Sequence, residues 1–303
     1  LFQLKKIFHA LSIVKQIYKY KFRYKIHTIY YFPAGPKIVP ILRDIIILGL
    51  TRPLFDRTIF HFRAAGLSEY LRSLPMFLNK LMIKTYFKPE VGIRLSPYTP
   101  DDAKYIKATK EYIVYNGIED HGRGRRQKLD ANRCINLLFI GILQKSKGVS
   151  ILLEACAKLY SSEVNFKCHI LGEFQSAEYK NSCLEYVNLE SLGNNVIFHG
   201  VKLDEEKYKI MQECDIFVFP THFESEGTPG VIIEAMSFSI PIVSTIWRGV
   251  PSLVEHGKNG LLSEINNSDE IFKNILFFIQ NPNELILYGM NGRKKYLDQF
   301  NLE

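Results

Sequence analysis

Apolar positions in this chain come in short blocks whose spacing switches between helical and extended, and the switches predict its elements. The opening LFQLKKIFHALSIVKQIYKYKFRYK sets Leu4, Ile7, Phe8, Leu11, Val14 and Ile17 near helical spacing among lysines, which predicts an amphipathic basic helix. Residues 26–32 are an apolar segment ended by Pro33, Gly35 and Pro36, a strand running into a loop. A mostly buried helix is expected over 38–50, a strand over 58–62, a helix broken at Pro75 over 67–87, and a strand over 91–95. After a turn at 96–100, Asp101 and Asp102 can start a helix, and 112–115 make a short strand ending at Asn116-Gly117.

Past the polar, basic stretch HGRGRRQKLDANR, which reads as a linker or exposed loop, the alternation becomes more regular. Strands are expected over 134–140, 166–171, 196–198, 216–219 and 242–244, with helices over 148–160, 177–192, 204–212 and 230–238. Short apolar strands separated by helices indicate a parallel sheet covered on both faces, an α/β domain of Rossmann type. Such sheets bind ligands beyond the carboxyl ends of their strands, so the segments after each strand are where chemistry is expected.

Composition narrows the picture. With 303 residues, 47% of them hydrophobic, the chain can bury a large core, more naturally as two domains than one, and disorder is not expected. No long uncharged apolar run stands in the sequence, so neither a transmembrane helix nor a signal peptide is expected. Five scattered cysteines without metal-ligand spacing suggest reduced, mostly buried thiols of a cytosolic protein. Charge is uneven: twenty Lys and Arg against nine Asp and Glu through Gly122 leave +11, and nineteen against twenty-two beyond it leave −3. A basic half suits nucleic acid, an acidic glycan, a phosphorylated lipid or an anionic membrane leaflet. The opening helix accordingly has two readings, packed on its own domain with a solvated lysine face, or touching a membrane.

The densest chemical signal is DIFVFPTHFESEGTPGVIIEAMSFSIPIVST, residues 215–245. An apolar strand runs into a loop containing Glu226, Gly227, Thr228, Pro229 and Gly230, and the following helix carries Glu234. The glycines allow close backbone approach, and the open N–H groups of a helix start suit the phosphates of a diphosphate. Carboxylates beside an anion suit ligand hydroxyls instead: Glu226 those of a sugar, Glu234 those of a ribose. Alternatively, Glu226 is a solvated loop residue and Glu234 a helix-start carboxylate favoured by the macrodipole. In FIGILQKSKGVSILLEA, Lys147 precedes Gly148 and a helix; it can neutralise a diphosphate or be a surface charge, as can Lys145. In TIWRGVPSLVEHGKNGLL, Gly249 can bring backbone close to a ligand and Arg248 can contact a phosphate or acceptor, while Trp247 is a stacking platform or a packing anchor. Glu255 can meet Lys258 at the surface.

These segments together resemble the large retaining glycosyltransferase family usually numbered four, the group 1 type common in bacterial polysaccharide synthesis. The residues that carry the resemblance are Glu226 and Glu234, with seven residues between them in EGTPGVIIEAM, the preceding FVFPT, the SKG step at Lys147-Gly148, and WRGVPSLVEHGKNGLL. YNGIED resembles the family's segment before its linker. The resemblance implies a GT-B fold, two Rossmann-like domains with a crevice between them. They are expected over 1–122, on the acceptor side and without its first strand, and over 134–303, the nucleotide-sugar domain cut short at its end, with 123–133 between them. By position, Glu234 resembles the ribose glutamate, Glu226 the donor-sugar carboxylate, Lys147 the diphosphate lysine, and Gly227, Thr228, Pro229 and Gly230 the phosphate or sugar cradle. Many relatives have arginine where this chain has Ile142, so the resemblance leaves leaving-group stabilisation to Lys147 with helix N–H groups, or to Arg248. His61, after an apolar strand in TIFHFRAAGLSEY, resembles a histidine facing the reacting sugar, or is a packed, satisfied histidine.

The reaction implied is retaining transfer from a nucleoside-diphosphate sugar, the donor substrate, with no cofactor and no divalent metal, since no DxD pair follows a strand of the second domain. Front-face substitution is expected rather than glycosidase chemistry, for which no plausible carboxylate pair is seen. The acceptor is expected to be a glycan or polyprenyl-phosphate-linked, at the cytoplasmic face of the membrane, in capsule, lipopolysaccharide or related cell-surface synthesis, with no specific nucleic acid. A dinucleotide enzyme would require a GxGxxG turn, which is absent. The competing reading is a noncatalytic nucleotide-sugar or nucleic-acid-binding protein of the same fold.

Overall fold

The computed structural model describes residues 2–122 and 134–302, so the expected linker at 123–133 lies outside the described residues. The chain divides into two compact units, Leu1–Tyr115 with Glu224–Thr228, and Asn116–Phe223 with Pro229–Glu303.

The first unit runs α1 (Phe2–Tyr24), β1 (Thr28–Tyr31), α2 (Ile38–Thr51), β2 (Arg57–Phe62), α3 (Leu67–Ser73), α4 (Met76–Tyr86), β3 (Val91–Arg94), α5 (Asp102–Tyr105) and β4 (Lys110–Ile113). Its four strands are all parallel in the order β1-β2-β3-β4. Pro75 divides α3 from α4 because a proline cannot donate to the preceding turn. The helix over 38–50 is expected to be mostly buried, but α2 buries one stripe, Ile41, Asp44, Ile47, Leu48 and Thr51, while Val39, Leu42 and Leu50 are exposed. An apolar residue reports what a helix can bury, and the partners on each side decide what it does bury. The opening helix forms and packs Ala10 and Val14 against Ile47 of α2, with Phe8 and Leu11 turned outward. The fourth strand sits two residues earlier than 112–115: its four side chains are exposed, and backbone pairing of Lys110 through Ile113 with Val91 through Arg94 sets it.

The buried carboxylate of Asp44 organises this unit. It accepts from Tyr31 Oη at 2.7 Å, Tyr86 Oη at 2.9 Å, Ala34 N at 2.6 Å and Arg43 Nη2 at 2.9 Å. Burial, and then the neighbouring carboxylate, push both phenols well above their ordinary range, so they stay donors. Asp44 thereby fixes the loop after β1, through Ala34, to the middle of α2. Asp102, expected to start its own helix, also caps a different one: its carboxylate accepts from Gly66 N at 3.1 Å and Ser68 N at 2.7 Å at the start of α3. Burial raises its pKa despite these bonds.

The second unit runs β5 (Ile135–Ile140), α6 (Val149–Ser161), β6 (Phe166–Leu171), α7 (Ala177–Leu189), β7 (Val196–Gly200), α8 (Asp204–Glu213), β8 (Ile216–Phe219), α9 (Gly230–Ser237), β9 (Ile242–Thr245), α10 (Val250–Leu253), β10 (Gly260–Ser263), α11 (Ser268–Gln280) and α12 (Pro282–Gln299). All six strands are parallel, in the order β10-β9-β8-β5-β6-β7, the doubly wound arrangement that the alternation implies. Central strand β8 is apolar and buried at every position, as a sheet covered on both faces requires. Leu261 and Leu262, an apolar pair after a turn in the sequence, are the middle of edge strand β10. Residues 116–122 pack with this unit: Ile118 bridges Asn301, and Arg293 of α12 holds Asp120 at 2.5 Å and the Ser237 carbonyl at 2.7 Å. Four of the five cysteines are buried, and all five are free thiols. Among the described residues no helix is long and apolar enough to cross a membrane.

Replacing Asp44 with alanine strands the buried Tyr86 phenol, the half-buried Tyr31 phenol and a buried amide, and is expected to destabilise the first unit by about 3–5 kcal/mol, seen as a lower urea midpoint. An unchanged midpoint would remove Asp44 from its central place.

Candidate functional site

In the second unit the loops beyond β5, β8 and β9 are tied together by backbone. Gly148, between a 3-10 turn at Lys145–Lys147 and α6, has φ +85°, and a Cβ there would collide with the carbonyl oxygen of Pro220. His222 N donates to Ser146 O at 2.8 Å across the same junction. Beyond the last residue of β8 the ladder continues through side chains of the β9 exit. Ser244 Oγ donates to Phe219 O at 2.6 Å, Thr245 Oγ1 to Thr221 O at 2.5 Å, and Trp247 Nε1 to Phe223 O at 2.8 Å. The carbonyl of the last β8 residue and two alternate carbonyls of the irregular loop after it are thus satisfied as if the strand went on.

Lys147 projects into this frame. Its ammonium lies 4.6 Å from the ring centroid of Phe223 and 5.4 Å from that of Phe219, a cation over two aromatic faces. Lys147 is half-buried. Arg248, with φ +48°, stacks on Trp247 at 5.2 Å, and Gly249 immediately precedes α10 with an ordinary φ of −78°. Pro229 caps α9, Gly230 opens it, and no protein atom lies within 4 Å of where a Gly230 Cβ would stand. The protein itself therefore places no demand for glycine there. Glu234 lies beyond the first turn of α9 and is largely buried in an ion pair with Lys207 of α8, so it is not a helix-start carboxylate. Lys207, His222 and Phe223 are missed by sequence reasoning, although His222 and Phe223 stand in the loop it singles out. Burial, then Lys145, lowers the His222 pKa. At the carboxyl ends of β6 and β7 a cavity of about 620 Å³ is lined by Phe174, Phe198, His199 and Lys180.

In the first unit, His61 near the end of β2 is 8% exposed, and burial, then Arg63, lowers its pKa. Glu226 is 6% exposed and Thr228 equally buried, so Glu226 is not a solvated loop residue. Ala65 N donates to Ser225 O at 3.4 Å, and a Cβ on Gly227 would stand 2.6 Å from Arg63 O. The structure therefore groups His61 with Glu226, Gly227 and Thr228 in one unit, and Lys147, Pro229, Gly230, Glu234, Arg248 and Gly249 in the other. A larger cavity of about 660 Å³ near Arg52 and Glu90 opens at the amino ends of β2 and β3, the opposite end of the sheet from His61, and does not bear on this site. Among the described residues no three His, Cys, Asp or Glu side chains stand together as a metal site.

Glu255 meets Lys258 at 2.8 Å, and also Lys295 of α12 at 3.0 Å. Its hydrogen bonds to these two ammonium groups hold its carboxyl down at about 2.

The family model described as Glycosyl transferases group 1 matches residues 125–295. WcaL of Escherichia coli (strain K12), by name a candidate colanic acid biosynthesis glycosyltransferase, is 29% identical over 280 residues, 81% of this chain and 67% of that protein. The Campylobacter jejuni N-acetylgalactosamine-N,N'-diacetylbacillosaminyl-diphospho-undecaprenol 4-alpha-N-acetylgalactosaminyltransferase is 30% identical over 172 residues, 56% of this chain and 44% of that protein. The chain thus spans about two thirds of one relative and less than half of the other. Among solved structures, Anabaena HepE in complex with UDP and glucose superposes with a TM-score of 0.75 at 19% identity, over 96% of this chain and 77% of HepE. That likeness shows the fold, the GT-B architecture of two Rossmann-like domains.

Gly148→Ala is expected to lower the melting temperature of the second unit by several degrees, since it adds a clash to a strained φ, a loss of about 1–3 kcal/mol. A melting temperature equal to that of the unaltered protein would refute the close approach to Pro220. Because the folded pKa of Glu255 is depressed, its pairing stabilises fully above the ordinary carboxylate range near 4.5 and fades as pH falls towards about 2. The gap in urea midpoint between the unaltered protein and Glu255→Gln should therefore narrow from pH 5 to pH 3; a constant gap would count against the pairing.

Proposed function

The chain belongs to the group 1 glycosyl transferases. From that premise we propose that it transfers a sugar from a nucleoside-diphosphate sugar to a glycan or polyprenyl-phosphate-linked acceptor in cell-surface polysaccharide synthesis, with retention and without a metal. The observation that carries this reading is Lys147, an ammonium held over Phe223 and Phe219 by a loop locked against Pro220, in the unit where α9 starts at Gly230. Negative charge grows on a departing diphosphate. A partly desolvated ammonium and the positive end of a helix oppose that charge more strongly than water does.

The remaining groups divide the ligand. Open space over Gly230 leaves room for phosphate oxygens, with Gly227, Thr228 and Pro229 completing the cradle. Glu234 takes the ribose hydroxyls, exchanging Lys207 for the ligand. Glu226 and His61, both buried, bind sugar hydroxyls. Arg248 with Gly249 contacts a phosphate or the acceptor, in place of the arginine absent at Ile142. The cavity beside Phe174 and His199 suits a planar base. WcaL's colanic acid assignment, the undecaprenol in the Campylobacter enzyme's name and the UDP held by HepE support this setting. Outward Phe8, Leu11 and Phe22 of α1, with Lys15 and Lys19, suit peripheral contact with the anionic inner membrane face. No nucleic acid ligand is expected.

The test is transfer by the intact protein from a panel of nucleoside-diphosphate sugars to polyprenyl-phosphate-linked acceptors, corrected for donor hydrolysis. Lys147→Ala is expected to lower kcat by about 10²–10³-fold, and Glu226→Ala by a comparable factor. Donor binding without transfer to any acceptor would overturn the reaction, and no nucleotide binding would overturn the site.

A further inference from the structure

Parallel pairing of β1 with β2 sets Tyr30 opposite Ile59 and Tyr31 opposite Phe60. Successive strand residues face opposite sides of a sheet, so these adjacent tyrosines serve different neighbours. Tyr31 donates to Asp44, whereas the Tyr30 hydroxyl lies 2.5 Å from His61 Nδ1 with the two rings edge to face. Phe32 flanks the imidazole at 5.5 Å between centroids, and the Arg63 guanidinium covers the Phe32 ring at 4.8 Å. The other ring nitrogen, His61 Nε2, is buried and has no hydrogen-bond partner among the described residues. A buried polar atom left in this condition costs about 1–3 kcal/mol unless a ligand meets it.

We propose that Tyr30 is a positioning residue that holds His61 in its Nε2–H tautomer, so that the buried N–H donates to a hydroxyl of the reacting sugar. The assignment rests on the sugar-transfer reading above. A phenol is the stronger donor of this pair and an imidazole nitrogen the stronger acceptor, so the short contact is O–H to Nδ1. That bond uses the Nδ1 lone pair and leaves the ring proton on Nε2, turned to the side where no protein group answers it. Tyr30 itself is half-exposed and need not touch the sugar.

The test uses Tyr30→Phe, which keeps the aromatic ring and removes only the hydroxyl. Ring-nitrogen NMR of the ligand-free protein, with the signal assigned through His61→Gln, is expected to show Nε2 protonated in the unaltered chain and a mixture of tautomers in Tyr30→Phe. Transfer kcat/KM is expected to fall about 10-fold in Tyr30→Phe, the worth of one well-placed hydrogen bond. Adding Tyr30→Phe to His61→Gln should change nothing, because an amide donor has no tautomer to set; a general structural role for Tyr30 would lower transfer in both backgrounds. A proton on Nδ1 in the unaltered protein, or undiminished transfer by Tyr30→Phe, overturns the proposal. If the unaltered protein transfers no sugar, the transfer reading fails by itself, and the ring-nitrogen spectra still decide what Tyr30 does.

Discussion

A side chain at residue 148 would collide with the carbonyl oxygen of Pro220, and the placement of the loops after β5 and β8 depends on that exclusion. Because the turn before α6 can press against the exit of β8, Ser146 accepts from His222 N, and Lys147 is delivered over Phe223 and Phe219 instead of into solvent. The exit of β9 completes the frame by satisfying the carbonyls of residues 219, 221 and 223 in turn. An irregular loop with no ladder partner would otherwise be free to rearrange. Here it is held as a strand is held, which gives Lys147 a fixed position over the two rings.

The first unit solves a related problem with a carboxylate. Asp44 gathers two phenols, an amide and a guanidinium on one side of the sheet and so fixes the loop after β1. The other side of the same strand carries Tyr30 and, beside it, His61. Strand alternation thus separates a hydrogen-bonded polar cluster around Asp44 from one in which His61 Nε2 has no partner among the described residues.

How much of this was legible depends on how local the determining physics is. The strand over 216–219 is expected where it occurs because it is apolar and buried at every position, and that over 166–171 because Phe166, Cys168, Ile170 and Leu171 form an apolar face and Gly172 ends it. The break at Pro75 is equally local. The edge strand Lys110–Ile113 was displaced from its apolar letters because an exposed edge is set by backbone pairing, which leaves no hydrophobic signature. The same limit applied to α2, whose apolar letters did not reveal which face would find a partner.

By itself, the sequence determined the α/β alternation, the doubly wound second unit and the family, since apolar period, turn residues and the spacing of Glu226, Glu234 and Lys147 are written along the chain. Only the tertiary structure decided that Glu226 is buried, that Glu234 is paired with Lys207, that Asp44 is a hub and that Tyr30 meets His61. Each of those facts joins residues from different elements, and hydrogen bonds act over a few ångströms of space, so their partners exist only once the chain has folded.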